Sequence, residues 1–566
     1  MIAKRIKKLR NKFNQFNIDG YIVPKNDEFF SEYSVLNRLK IISNFTGSAG
    51  LAIVLKENNY LFVDGRYTIQ ANQESGKLFK IIKIHKLLPH NIIKNLTLGF
   101  DPSLHTKRQL KIYFGNSIKL RKINKNLIDL IYKKKIPRIK TFFSLKNKVA
   151  GETFKSKISK IRNILKLKKA DYLFISAPEN VAWVLNIRGS DNPNSPIPNS
   201  RLIIGQNNDL FLIAKKEKAL KIIKDKKISK KQIVNPEKFK DLIKELRGNI
   251  FIIDHLTCSI LNENIIKSKF LIIDENDPCY KLKSIKNSSE INHMIKAHIK
   301  DGVALTKFIY WIKNVNKKKL TEIESQNKLE KFRKLDKSYL FPSFNTIAGA
   351  GANAALPHYI ASKKSNKIIK KSDIFLCDSG GQYKFGTTDV TRTVCFSKQK
   401  KSIKNIFTKV LKGHIAVART NIKKFNTGKK IDAIARQFLR KDGLDYEHGT
   451  GHGVGFFSNV HEGPQSISKF NTVKLKNGMI VSNEPGYYKK GSYGIRIENL
   501  VYIKKYNKKL LFENLTLVPI EKELINYKLL NSKEKKYLNN YHKKVYLTLN
   551  PYLNKAEKNW LKSFIN

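Results

Sequence analysis

Cysteine, methionine and tryptophan are scarce in this 566-residue chain, with four, three and three copies. The cysteines, Cys258, Cys279, Cys377 and Cys395, are scattered and never form a CxxC pair, so neither a zinc ribbon nor a disulfide framework is indicated. They read as buried thiols in a reducing compartment. Apolar runs are short, and none approaches the length of a membrane span. The first sixteen residues, MIAKRIKKLRNKFNQF, are basic but lack an apolar h-region and a small-residue cleavage site. They read as an amphipathic helix running into the strand DGYIVP, in preference to a signal peptide or mitochondrial presequence. The expectation is a soluble, cytoplasmic protein with no membrane partner.

Acidic residues are few. Asp and Glu number 45 against 110 Lys and Arg, a formal net charge of +65. Such an excess alone points to nucleic acid or an anionic membrane. Yet lysine is spread along the whole chain, together with abundant Asn and Ile, which is the mark of compositional drift. No RRM, zinc-finger or helix-turn-helix pattern is present. No specific nucleic-acid partner is therefore expected. RNA binding measured by filter retention should be weak, indifferent to sequence, and lost as salt is raised. Tight, sequence-selective binding at physiological salt would overturn this reading.

What the chain does have is a set of metal-ligating residue types in its last third: Asp378 and Asp389 in DSGGQYKFGTTDV, His452 in HGTGHGVG, Glu484 in SNEPGYY and Glu498 in GIRIEN. Four carboxylates and one imidazole suit hard or borderline divalent ions, and two such ions can clamp a hydroxide and polarise a carbonyl at once. Residues 373–381 and 386–396 read as two strands of a hairpin, which brings Asp378 and Asp389 near each other. Cys377 and Cys395 fall on the same two strands and could lie close. Glu484 follows the short apolar run 479–482, at a strand end. Arg496 and Glu498, two apart in a strand read over 494–503, share one face while Ile495 and Ile497 pack behind. Taken singly, each acid is more simply a solvated surface group and the histidine a structural one. Jointly, four buried carboxylates without cations would be very costly, which favours a metal site.

These stretches, with NAALPHY (353–359), NVHEGP (459–464), FTGSAG (45–50), DGRY (64–67), AWVLNIRGSD (182–191), FENLTLVPI (512–520) and LNNYHKK (538–544), resemble the pita-bread metallopeptidases. Within them the chain resembles the Xaa-Pro aminopeptidases of the long, multi-domain type, over nearly its whole length. One departure is Phe385, where relatives often carry Asp; it is not a ligand position. The resemblance implies that Asp378 binds one metal, that Asp389 and Glu498 bridge both, and that His452 and Glu484 complete the second. His358 and His461 would be non-ligand histidines contacting substrate and the developing oxyanion. Arg66 would contact substrate, with His448 and Arg496 in support. It also implies two divalent ions per subunit, manganese in preference to cobalt or zinc, and a homodimer. The substrates would be peptides with proline in the second position. A two-metal-activated hydroxide would release the N-terminal residue, with Glu484 relaying the proton. A prolidase or creatinase-like hydrolase of the same fold, and a non-catalytic binding module, are the alternatives.

The fold class expected is α/β (α+β). Residues 1–150 and 151–285 each read helix, strand, turn, strand pair, an internal repeat of two creatinase-like domains. A long amphipathic helix with a start signal at Ser289–Glu290 and an apolar stripe of Met294, Ile295, Phe308 and Trp311 opens the next domain. The pita-bread catalytic domain spans 286–520, and 521–566 is a helical extension.

Overall fold

The computed structural model describes residues 1–132 and 140–565, and among them no helix is long and apolar enough to cross a membrane. The chain forms two compact units, Met1–Tyr280 and Lys281–Asn566.

The first unit holds two six-stranded sheets. In the first, Gly20–Pro24 is flanked by Leu51–Leu55 antiparallel and Thr97–Phe100 parallel. Asn59–Val63 and then Lys80–Lys83 extend one side, and Lys119–Lys122 the other. In the second, Tyr172–Ile175 is flanked by Arg201–Gly205 antiparallel and Ile250–Ile253 parallel. Leu210–Ile213, Ile233–Val234 and Leu271–Asp274 occupy the corresponding outer places. The spatial order and the sense of every pairing are the same. The repeat in the sequence is thus a repeat of topology, carried by β-branched runs such as LAIVL and RLIIG whose side chains are buried on both faces.

The second unit is built around the long helix Ser288–Asn314. Its cap is Asn287, which accepts from the Glu290 amide while Glu290 accepts from the Asn287 amide, each at 3.0 Å. This reciprocal box starts the helix slightly ahead of Ser289–Glu290. Met294 and Phe308 are fully buried, while Ile295 and Trp311 are half-buried. Behind the helix, Ile374–Ser379 pairs with Ile347–Ala350 and with Val390–Cys395. Cys377 lies opposite Arg392 and Cys395 opposite Ile374, so the two thiols do not face each other; all four cysteines are free and buried. A five-stranded sheet centred on Ile480–Asn483 supplies the other wall. The C-terminal helices Ser532–Leu549 and Lys555–Lys562 place Leu538, Tyr541, Val545 and Leu561 in the same core as Ile495 and Ile497. The extension therefore packs on the sheets that carry the candidate ligands.

Buried acids brace this unit. Asp301, on the long helix, accepts from Arg333 Nε at 2.8 Å, from the Tyr383 hydroxyl at 2.9 Å and from Thr388 Oγ1 at 2.8 Å. Arg333 also donates to Ser379, next to Asp378. The Arg333 side chain is fully buried. Asp301→Ala strands that guanidinium without a counter-charge. The expected loss is about 3–5 kcal/mol, read as a drop in the urea midpoint of this unit. A midpoint unchanged from wild type would show the pair to be dispensable.

Candidate metal centre

Each candidate ligand stands where a strand ladder ends or breaks. Residues 373–381 do not form one continuous strand. Ile374–Ser379 stops at Gly380, and Gly381–Tyr383 continues in a different sheet, against Tyr339–Pro342. A Cβ on Gly380 would lie 2.0 Å from the Thr388 carbonyl oxygen, so only glycine permits this bend. Asp378 lies opposite Thr391, and Asp389 precedes the Val390–Cys395 strand by one residue. The two acids are diagonal neighbours on one face.

The strand read over 494–503 is likewise two strands. Tyr493–Arg496 pairs with Gly486–Lys489, and Asn499–Tyr506 belongs to the five-stranded sheet. Ile497 and Glu498 fall between them. Arg496 and Glu498 remain linked across this break, through Thr391. Arg496 donates from Nε to Thr391 Oγ1 at 3.1 Å, and Thr391 donates to Glu498 Oε2 at 2.7 Å. Ile495 and Ile497 are fully buried behind.

His452 sits in Gly451–Gly453, where a Cβ on Gly451 would meet the Ser482 carbonyl oxygen at 1.9 Å. That close approach sets the imidazole over the acids. Nδ1–H donates to the Gly453 carbonyl at 2.9 Å, which leaves the Nε2 lone pair facing inward. Nε2 is 3.3 Å from Asp389 Oδ2 and 3.6 Å from Glu484 Oε1. Asp389, His452 and Glu498 present ligand atoms within 4.8 Å of one another. Glu484 follows the Ile480–Asn483 strand, and its Oε1 accepts from Ser482 Oγ at 3.1 Å. The Ser482 hydroxyl in turn accepts from the His452 amide.

The electrostatics describe a site short of positive charge. Asp389 and Glu498 are 4 % and 1 % exposed. Burial first, then the neighbouring carboxylates, pushes both acids well above their ordinary range. Asp378 Oδ1 and Asp389 Oδ1 are buried oxygens with no hydrogen-bond partner. Buried acceptors normally find one. Acceptor oxygens left over in an oxygen-rich set with one imidazole are what a divalent cation binds, so the residues fit the metal they imply.

The supporting residues surround this set. Arg496 Nη2 donates to Asp378 Oδ2 at 2.5 Å and to the Pro357 carbonyl at 3.3 Å, which joins the turn carrying His358 to the site. That turn is pinned from below. Asn353 and Tyr359 of NAALPHY both donate to the buried Glu322, which also accepts from the Ala350 and Lys367 amides. Tyr488 links two more: its hydroxyl accepts from Arg496 Nη1 at 2.5 Å and donates to His448 Nε2 at 2.8 Å. His448 Nδ1 is 4.0 Å from Glu484 Oε2. The His461 ring stands 4.3 Å from the His452 ring, centroid to centroid, at 72°. The next residue, Glu462, is buried against Lys286 and Lys283, which fixes that turn. Arg66 belongs to the first unit, where Asp64 accepts from its Nε at 3.0 Å and its Nη2 at 2.8 Å. Thr391, Ser482, Tyr488 and Glu322 were not singled out from sequence. Three of them lie inside or beside the quoted motifs, but their partners are distant in the chain.

The model of metallopeptidase family M24 matches residues 292–505, and that of the C-terminal region of peptidase M24 matches 508–564. Two creatinase/prolidase N-terminal domain models match 5–122 and 134–290. A probable Xaa-Pro aminopeptidase P of Laccaria bicolor is 34% identical over 97% of this chain and 91% of its own. Xaa-Pro aminopeptidase 1 of Dictyostelium discoideum is 33% identical over 100% and 96%. Among solved structures, the X-prolyl aminopeptidase of Caenorhabditis elegans, described as a cytosolic enzyme with a di-nuclear active site, superimposes with a TM-score of 0.91. Its identity is 30%, and the match covers 100% of both chains. The prolidase of Pyrococcus horikoshii matches 65% of this chain and 99% of its own, at 25% identity and a TM-score of 0.53.

Proposed function

This chain belongs to metallopeptidase family M24, among the Xaa-Pro aminopeptidases, and from that membership we propose that it is a metal-dependent aminopeptidase releasing the N-terminal residue of peptides with proline second. The observation that carries the reading is the convergence of Asp389, His452, Glu484 and Glu498, with unpartnered carboxylate oxygens on Asp378 and Asp389. Two divalent ions bound there would supply a water of lowered pKa and a polarised carbonyl. Asp389 and Glu498 would lie between the ions, Asp378 would hold one, and His452 with Glu484 the other. The oxygen-rich set favours manganese.

The chain's own side chains do the rest. Glu484 takes a proton from the attacking water and returns it to the leaving prolyl nitrogen. Its Oε1 bond to Ser482 keeps the carboxylate turned toward the site. His461 donates to the carbonyl oxygen as its charge grows, and His358 contacts the same region of the substrate. Arg496, held between Tyr488 and Thr391, fixes Asp378. His448 supports Glu484 from the side. Arg66 would contact substrate. We read 1–150 and 151–285 as creatinase-like domains, 286–520 as the catalytic domain and 521–566 as its extension, with two chains forming a cytoplasmic homodimer.

Manganese-loaded protein should release arginine from Arg-Pro-Pro, and turnover should vanish on chelation and return with added Mn2+. Hydrolysis of bare Xaa-Pro dipeptides in preference to Arg-Pro-Pro would favour a prolidase. Purified protein without bound metal or peptidase activity would favour a binding module. Light scattering tests the dimer.

A further inference from the structure

Glu498 is a candidate ligand whose backbone belongs to no strand. The ladder on one side ends at Arg496 and the ladder on the other begins at Asn499. Its position must therefore be set by bonds outside the sheets. The Glu498 amide donates to the Thr391 carbonyl at 3.1 Å, and its carbonyl accepts from Arg392 Nη1 at 2.6 Å.

Arg392 is 2 % exposed, and no carboxylate pairs with it among the described residues. Its guanidinium is held by neutral oxygens. Nε donates to the Pro519 carbonyl at 3.0 Å, and Nη2 to Asn499 Oδ1 at 2.8 Å, the Val518 carbonyl at 2.8 Å and the Tyr541 hydroxyl at 2.9 Å. A buried cation without a counter-ion depends on every one of these acceptors. Tyr541 comes from the C-terminal helix Ser532–Leu549 and is itself 4 % exposed. Its hydroxyl donates on to the Val518 carbonyl at 2.8 Å and accepts from the Val518 amide at 3.2 Å. One helical turn earlier, on the same face, the Tyr537 hydroxyl accepts from Asn514 Nδ2 at 2.9 Å. Asn514 Oδ1 accepts from Asn499 Nδ2, also at 2.9 Å. Two phenols of one helix thus hold the two sides of Asn499, the residue after Glu498.

We propose that Tyr541 and Tyr537 are positioning residues for the metal centre, acting on Glu498 through Arg392 and Asn499. The C-terminal extension is then part of what sets ion affinity, and not only a cover for the core. This rests on the metal-centre reading above. Neither tyrosine contacts a ligand carboxylate, so the effect passes through backbone placement, as outer partners of metal ligands generally act.

The test titrates Mn2+ into chelator-stripped full-length protein by calorimetry and records melting with and without Mn2+. Tyr541→Phe removes one hydroxyl and keeps the ring. The weaker Mn2+ site is expected to lose affinity by about tenfold, the lower end for outer-partner changes, and the Mn2+-induced rise in melting temperature should shrink. Leu561→Ala, a core truncation in the last helix that touches none of these bonds, should lower melting of the metal-free protein while leaving Mn2+ affinity unchanged. An unchanged Mn2+ affinity in Tyr541→Phe overturns the proposal while leaving the metal centre intact. So does an equal affinity loss in Leu561→Ala. Wild-type protein that binds no Mn2+ sinks the metal-centre reading and this one with it. Should Tyr541→Phe fail to fold, Tyr537→Phe carries the same test, with a roughly threefold loss expected, below the range for direct outer partners.

Discussion

Asp389→Asn is expected to remove at least one metal ion and to lower turnover on Arg-Pro-Pro by on the order of a thousandfold or more, several kcal/mol of transition-state stabilisation. The substitution keeps the shape of the side chain and removes one negative charge. In the metal-free state burial first, and then Asp378 and Glu484, disfavour a charge on Asp389, and an uncharged amide meets neither penalty. The variant's metal-free form should thus be no less stable than wild type. With metal, the sign reverses. An amide would offer the ions one neutral oxygen in place of an anionic carboxylate, and its NH2 group is a donor that cannot bind a cation. The gain in metal-free stability and the loss of metal-induced stabilisation are opposite signatures on one preparation, and no simple folding defect gives both. Full metal occupancy with wild-type turnover would remove Asp389 from the site.

His461→Ala should cost roughly a hundredfold in turnover, the size typical of losing one oxyanion donor. Its ring lies against that of His452, and its turn is anchored by Glu462 on Lys286 and Lys283. Because the anchor is the neighbouring residue, the truncation should leave the turn in place. Metal content and melting temperature are expected to stay near wild type, and KM to change little, since help given to a developing charge is help given in the transition state. A histidine that merely packs would behave otherwise, lowering the melting temperature and affecting turnover only in proportion to unfolding. Loss of metal would make His461 a ligand.

The residues that meet at the centre were legible because their chemistry is local. Each carboxylate or imidazole sits in its own glycine-flanked or apolar-strand motif, and it is the set of motifs together that points to a metal site. The twin sheets of the first unit were legible too, since a repeated order of helix, strand and turn constrains topology. Where the strands break was not legible. The runs 373–381 and 494–503 look unbroken because an apolar alternation does not report a change of partner strand. The bends at Gly380 and at Ile497–Glu498 depend on Thr388 and on Thr391 with Arg392, which the sequence does not mark as neighbours. The supports Glu322, Asp301 and Tyr488 were missed for the same reason. Their types are ordinary, and only their partners make them special. The helix cap at Asn287 is a smaller case, where a reciprocal side-chain pair displaced the start from the residues that sequence favoured.

The buried acids have one more consequence, for how this protein tolerates change. Its composition makes carboxylates rare, yet Asp301, Glu322, Glu462 and Asp432 are all interior, each tied to several donors or to a buried cation. Lysines such as Lys533, Lys535 and Lys536 are, by contrast, exposed. Mutational sensitivity at charged residues therefore follows burial. Exchanging a surface lysine for almost any polar residue costs little, whereas neutralising one of these interior acids strips a brace. A saturation scan of this chain would show tolerance at the surface lysines and intolerance at these interior acids and at buried cations such as Arg333, Arg392 and Arg496. The surface could be re-charged extensively without touching what folds it.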